Sequence, residues 1–405
     1  MSDAGWATSD FGSLFKVNTP GFWGDDGGSE PNILVLRSTN FKKDGGLNYE
    51  TAAPRRFDQR KLAQKLLLAG DLILERSGGS PAQPVGRVNR FDAGGAYSAS
   101  NFMQVLRPDD RVDSHYAYYL LDDFYRRGGT ENLQRATTGI RNLDFKAFLE
   151  TPVLVPPLDE QRRIAEVLRS SDVYIAAMSD ALSSARAAKN AALIDALSNG
   201  WPETTVADLL AETRYPMRSG PFGSALLKSE LQAEGIPFLG IDNVQVERFV
   251  PTYRRFISEE KYQELARYTV FPGDVMVTIM GTVGRCCVVP QGVGTAISSK
   301  HVWTITLDRD RYSPALLAWQ INHAPWVLDQ LRGESQGGIM SAINSGTLRE
   351  LVVPIPPPPE LHQIEDLLLS FNKFISATET ELERAQVTKA ALAGDLLAGR
   401  VRVPA

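Results

Sequence analysis

The sequence predicts an α+β protein: two mixed α/β blocks separated by two long helices forming an antiparallel coiled-coil pair, with a pseudo-two-fold internal repeat. Three observations predict it. The second half of the chain repeats the first at an interval of 200 residues without a gap. Val153, Pro156, Pro157, Glu160, Ile164, Leu168, Leu182, Lys189, Asp195 and Leu197 return as Val353, Pro356, Pro357, Glu360, Ile364, Leu368, Leu382, Lys389, Asp395 and Leu397. Both copies of that window carry apolar residues at the three-four spacing of a helix. The segments before each copy carry short apolar runs bounded by glycine and aspartate, the pattern of strands and turns. The order is block, helix, block, helix, with expected boundaries at 1–157, 158–200, 201–357 and 358–405. Two copies of one unit suit a target, or partners, that also come in two halves.

Within the first block, Gly70-Asp71 reads as a turn leading into a core strand at Leu72-Ile73-Leu74, and Tyr116 to Tyr125 as a helix. The second block matches it in register. Leu36, Asn40, Gly70 and Asp71 face Leu239, Asn243, Gly273 and Asp274, while Ser98 and Ser100 face Ser298 and Lys300. Val275-Met276-Val277 is the matching strand, Ala315 to Ile321 the second block's helix, and Gly139-Ile140 and Gly338-Ile339 lead into the long helices. The first long helix starts behind Pro156-Pro157, with Asp159 offered as N-cap and Glu160 in the first turn. Its stripe runs through Ile164, Val167, Leu168, Ile175, Met178, Leu182 and Leu193, and Gly200 closes it. The second runs from Pro356-Pro357-Pro358-Pro359 through Ile364, Leu368, Phe371, Ile375, Leu382 and Leu396 to Gly399. Roughly 40 residues at 1.5 Å each give rods of about 60 Å. One apolar stripe per rod is buried most simply against the other rod; the alternative is that each helix packs only on its own block.

Composition narrows the function classes. The 43% hydrophobic content is that of an ordinary folded domain, and 405 residues suffice for two cores. No apolar stretch has membrane-spanning length and the first residues do not read as a signal peptide, which points to the cytoplasm. The two cysteines, Cys286 and Cys287, are adjacent in an apolar run and read as strand core. His115, His301, His323 and His362 show no metal-ligand spacing. No Gly-Lys dipeptide exists, so there is no phosphate-binding P-loop, and no Asn/Asp-Pro-Pro-aromatic motif exists to hold a base amine for methylation. Ser77-Gly78-Gly79-Ser80 and Gly337-Gly338 read equally well as phosphate cradles or as plain turns. The chain is expected to be non-catalytic and to hold no metal or cofactor. Residues 1–150 carry 19 basic and 19 acidic side chains, and residues 201–355 carry 14 and 16. Any nucleic-acid binding therefore rests on local clusters rather than a global field.

Three runs carry a family resemblance. Val155-Pro156-Pro157-Leu158-Asp159-Glu160-Gln161-Arg162-Arg163-Ile164 and Pro354-Ile355-Pro356-Pro357-Pro358-Pro359-Glu360 resemble the helix starts of type I restriction–modification specificity subunits. Gly70-Asp71-Leu72-Ile73-Leu74-Glu75-Arg76-Ser77-Gly78-Gly79-Ser80 resembles a strand-loop signature of their target recognition domains. The second copy departs from the pattern at Leu361-His362 and at Met280-Gly281-Thr282. The resemblance implies a subunit that reads a bipartite double-stranded DNA target, one half per block, with the helices setting the spacing. It also implies two methyltransferase subunits, which supply the S-adenosylmethionine chemistry, and restriction motor-nuclease subunits in some complexes. The same architecture serves methylation-based phage defence. A symmetric, non-catalytic protein-interaction scaffold is the alternative from another class.

Under that resemblance, DNA contacts are expected on polar and basic loop residues. In the first block these are Lys42, Lys43, Arg55, Arg56, Arg76, Ser77, Gly78, Gly79, Ser80, Arg87, Asn89 and Arg90. In the second they are Arg214, Arg218, Ser219, Lys228, Arg254, Arg255, Thr282, Arg285, Lys300 and His301. Lysine and arginine neutralise phosphates, while arginine and asparagine read base edges. Arg76 and Arg87, flanking the Ser-Gly-Gly segment, form the strongest single candidate. Partner docking is expected at Glu160, Gln161, Arg162, Arg163, Glu360, His362 and Gln363, outside the apolar stripes; capping alone would explain Glu160 and Glu360.

Overall fold

A computed structural model describes residues 5–26, 30–42, 45–80, 82–137, 140–333 and 343–404. The chain forms two compact units: residues 1–179 with 380–405, and residues 180–379. Each long helix therefore lends its two halves to different units.

In the first unit, strands Phe15–Pro20, Met103–Pro108, Leu72–Glu75 and Val88–Arg90 form an antiparallel sheet in that order. A second sheet orders Asp25–Asp26, Ala53–Arg56, Ile33–Leu36 and Tyr97–Ala99, its last pair parallel. The second unit repeats this plan. Met217–Ser219, Val302–Ile305, Val275–Thr278 and Cys286–Val288 form the antiparallel sheet. Ile236–Leu239 lies parallel to Ala296–Ser298 in the second sheet. In each unit a terminal strand pairs with the strand leading into a long helix, Ala7–Asp10 with Pro152–Val155 and Glu203–Thr205 with Val352–Pro354.

Several residues matched in sequence do matched work. Gly70 and Gly273 adopt φ of 93° and 87°, values open to glycine without strain. Each precedes a buried aspartate and then a fully buried strand. Buried Asn40 and Asn243 each close a tight turn, accepting from the N–H of Arg37 at 2.8 Å and of Gly240 at 2.9 Å and donating to later carbonyls. Helix Ser114–Arg126 in one unit and Pro314–His323 in the other cover the antiparallel sheet. Cys286 and Cys287 are free and buried in their strand.

The long helices run Leu158–Leu197 and Pro358–Leu397. The first begins two residues earlier than an N-cap at Asp159 would place it, so Asp159 lies in the first turn rather than at the cap, and the Pro157 carbonyl takes the N–H groups of Glu160 and Gln161. Within each unit the helices pair antiparallel. In the first, Lys389 meets Asp172; in the second, Lys189 meets Asn372 at 3.1 Å. Their ends also enter the block cores. Ile164 and Leu168 pack with Ala393, Leu396 and Leu397 in the first unit, and Leu193 and Leu197 with Leu361, Ile364 and Leu368 in the second. Both packing modes weighed for the helices therefore operate together. Among the described residues, no helix is long and apolar enough to cross a membrane.

Candidate nucleic-acid interface

Each unit builds one tight turn and sets two loops against it. In the second unit the turn is Ser299-Lys300-His301-Val302, held by Ser299 N–H to the Leu239 carbonyl at 2.7 Å and closed by Val302 N–H to Ser299 at 3.2 Å. Its counterpart is Ser100-Asn101-Phe102-Met103, with the same bonds to Leu36 at 2.8 Å and Ser100 at 2.9 Å. Ser98 and Ser298 are both buried, but the match made in sequence is one residue out of register: Leu36 pairs with Ala99 and Leu239 with Ser298, so Ser100 corresponds to Ser299 rather than to Lys300. Lys300 is exposed and His301 half-exposed.

The first loop is the hairpin that follows the core strand. In the second unit, Ile279 N–H donates to the His301 carbonyl at 3.0 Å, so the tip carrying Met280, Gly281, Thr282 and Arg285 stands beside Lys300 and His301. Arg285 donates through Nη1 to Gln245 Oε1 at 2.7 Å, which fixes its direction. In the first unit, the N–H groups of Arg76 and Ser77 both donate to Phe102, at 2.9 and 3.1 Å. Here the structure departs from the expected loop: Ser77–Gly79 is a short strand paired with Ile140–Leu143. Gly78 has φ 101° and open space around it, leaving its backbone accessible, whereas a Cβ on Gly79 would press on Gln83 and Val85 at 2.8 Å. Ser80 is exposed where the strand ends. Arg76 donates to Gln104 at 3.3 Å and lies over the Phe145 ring.

Other expected contacts prove to be structural. Arg218 lies in a strand, 6% exposed, and donates to Asp274, the Thr269 carbonyl at 2.7 Å, the Tyr215 carbonyl at 3.0 Å and Thr306 at 2.9 Å. Burial lowers its pKa and Asp274 opposes that. Arg218 is committed inward because it neutralises a buried carboxylate. Asn89 is buried, and its side chain accepts from Gly46 N–H at 2.8 Å. Arg90 turns to Ser114 at 2.9 Å and to Asp92, away from Arg87. Arg87 holds the buried Glu75 through two bonds of 2.8 and 3.1 Å, yet still lines, with exposed Lys42, a cavity of about 250 Å³. Lys43, Gly139 and Gly337-Gly338-Ile339 lie outside the described residues. Lys228 is exposed on the turn Lys228–Glu230.

The docking set divides as well. Glu160 is 5% exposed and takes both Arg402 nitrogens at 2.6 and 2.7 Å and Trp6 Nε1 at 3.1 Å. Those hydrogen bonds, Arg402 foremost, hold its carboxyl below the usual range. Gln161 is buried and bonded to Asp113, Arg111 and Pro156. Both are spent on internal bonds that lock the helix start to the first block. Arg162, His362 and Gln363 are exposed, Arg163 and Glu360 half-buried.

The second loop was not singled out from sequence. It reads Gly21-Phe22-Trp23-Gly24 in the first unit and Gly220-Pro221-Phe222-Gly223 in the second. A Cβ on Gly21 would collide with the backbone of Ala99 and Ser100, and one on Gly220 with that of Ser298 and Ser299. Gly24 and Gly223 both have positive φ, 72° and 58°. The available signal was a glycine-x-aromatic-glycine pattern recurring at an interval of 199, too short to stand out beside the helix repeat.

Residues 36–181 match the family model described as the type I restriction modification DNA specificity domain. The type I restriction enzyme MjaVIII specificity subunit of Methanocaldococcus jannaschii is 21% identical over 75% of this chain and 74% of its own length. A second protein of that organism, named provisionally as the MjaX specificity subunit, is 19% identical over 85% of this chain and 81% of its own. The fold is similar to a chain from a study of assembly and conformational transition of the type I R-M system (TM-score 0.59, 14% identity, covering 99% and 100% of the two chains). It is also similar to the S subunit from M. genitalium (0.56, 14%, 98% and 97%). The chain thus carries a type I restriction modification DNA specificity domain at residues 36–181 and, over most of its length, is similar in sequence and fold to type I specificity subunits.

Proposed function

We propose that this chain directs a type I modification or restriction complex to a split DNA target, each unit reading one half. The observation that carries this is the duplicated frame: one turn flanked by two loops, built twice from matched glycines, asparagines and aspartates, with different side chains at the tips. Frames that agree while tips differ suit two sites of one kind tuned to different half-sites. The reading contacts are Arg76, Ser77, Gly78, Ser80, Lys42 and Arg87 in the first unit, and Thr282, Arg285, Lys300 and His301 in the second. Lys228 adds a phosphate contact. Affinity then falls with salt as phosphate counterions are released. The long helices set the spacing and, through Arg162, Arg163, His362 and Gln363, dock two methyltransferase subunits, where the S-adenosylmethionine chemistry takes place. The chain itself performs no bond-making step and works in the cytoplasm.

The test is methylome sequencing of cells with and without this gene, alongside its methyltransferase. A split methylated motif that vanishes on deletion supports the reading. An unchanged methylome with an active methyltransferase overturns it in favour of an interaction scaffold.

A further inference from the structure

We infer that the aromatic residue of the second loop, Phe222 in one unit and Trp23 in the other, determines half-site specificity; this rests on the DNA reading above. The two residues occupy one structural position. Each lies two residues after a glycine wedged against the turn backbone and one before a glycine with positive φ. A wedged glycine and a left-handed glycine around one aromatic fix where the ring is presented, and the chain does so twice.

The rings are presented differently. Phe222 is 59% exposed and belongs to none of the core clusters. Gly220 N–H bonds to Ser299 at 3.2 Å, which ties this loop to the turn bearing Lys300 and His301. Exposed Met280 stands on the hairpin at the other side of that turn. A lysine, an imidazole and two apolar side chains around one turn form a surface for phosphate and base edge together. Phe222 supplies apolar contact to bases, as to a thymine methyl or an opened base step. Trp23 is half-buried, and the Arg55 guanidinium stacks 4.0 Å from its ring centroid with Arg37 at 5.7 Å. Arg55 Nη1 lies 3.6 Å from the exposed Asp26 carboxylate and Arg37 Nη2 donates to the Thr51 carbonyl at 3.2 Å, while the buried Nε atoms of both arginines have no hydrogen-bond partner among the described residues. Trp23 therefore acts as a platform that holds cations toward the duplex. The second unit reads through the ring itself, the first through arginines resting on it.

The experiment uses the assembled methyltransferase complex and duplexes carrying every single-base change in each half-site. Phe222→Ala should weaken cognate binding about tenfold, the scale of one base–aromatic contact. It should also flatten discrimination at one or two positions of its own half only, with the salt dependence unchanged. Phe222→Leu, which keeps apolar volume, should lose less. Arg55→Met should instead reduce the salt slope by about one unit and touch only the other half. If Phe222→Ala keeps cognate affinity and base discrimination while the complex still binds its split target, the inference is wrong and the DNA reading stands. If the unaltered complex shows no sequence preference, both fall.

Discussion

Removing the Arg218 side chain separates a structural arginine from a DNA-reading one. Among the described residues, Arg218→Ala leaves the Asp274 carboxylate, fully buried, with Thr306 Oγ1 at 2.6 Å and Phe271 N–H at 2.7 Å as its remaining partners. It also strands the Thr269 and Tyr215 carbonyls. Breaking a buried pair by deleting one member costs about 3–5 kcal/mol, because the remaining charge stays desolvated. For a unit of some 200 residues, about 2–4 °C per kcal/mol gives a fall of roughly 6–20 °C in the second unit's transition. Calorimetry of the full chain reads it, with the first unit's transition as an internal control. The double replacement Arg218→Met with Asp274→Leu should recover most of the loss, since neither charge then remains buried. An Arg218→Ala protein with unchanged melting but weaker, less salt-sensitive DNA binding would refute the assignment and restore Arg218 as a phosphate contact.

Gly21→Ala and Gly220→Ala should each destabilise their own unit by about 1–3 kcal/mol, the usual cost of overpacking, because the new methyl meets backbone rather than a mobile side chain; equal melting to the parent would rule out the wedge. Leu182→Ala should cost roughly 2–5 kcal/mol, since Leu182 is 8% exposed, while Leu382→Ala should cost clearly less at a half-exposed position, despite the sequence match; denaturant titration of the two variants compares them directly. Glu160 has a folded pKa below its unfolded value, so its stabilising contribution is complete above the ordinary carboxylate range and is lost as pH falls through the folded value. Glu160→Gln should therefore melt below the parent at pH 7, with the gap closing below about pH 4; a gap constant from pH 7 to 3 would exclude the Arg402 pair as its source.

The architecture was legible because the repeat is long and ungapped where it encodes helix, and because Gly70-Asp71 and Gly273-Asp274 need the same turn. The interface was legible only in part. Arg218 looked like a surface cation because nothing local says that Asp274 is buried beside it. The matching carboxylate, Asp71, draws its arginine from a different strand: Arg107 holds it through bonds of 2.7 and 2.8 Å. Each buried aspartate is thus neutralised, but the cation is out of register between copies, and a repeat comparison cannot pair it. Glu160 and Gln161 misled for the opposite reason. Both fall outside the helix's apolar stripe, yet the first block and Arg402 wrap that side, a tertiary fact that helical spacing does not carry.

A repeated position also changes its role when its partner diverges. Lys389 meets Asp172, which also accepts from the Tyr119 hydroxyl at 2.6 Å, so in the first unit the charge is closed among helices. The position 200 residues after Asp172 is Asn372, which cannot neutralise Lys189. Glu247 does so instead, taking Lys189 Nζ at 2.8 and 2.7 Å and facing His323 at 3.1 Å. Burial opposes ionisation of Glu247, but His323 and Lys189 together outweigh it and hold its pKa below the usual value. Its backbone sits at φ 54°, a conformation that costs a non-glycine residue about 1 kcal/mol or more and persists only where surrounding contacts impose it. Two residues earlier, Gln245 fixes Arg285 at the hairpin tip. In the second unit the long helix, the strained turn and the tip are therefore one bonded set, whereas the first unit's helix lysine ends at Asp172. The replacement of one aspartate by asparagine accompanies a link between the long helix and the hairpin tip on one side of the repeat alone.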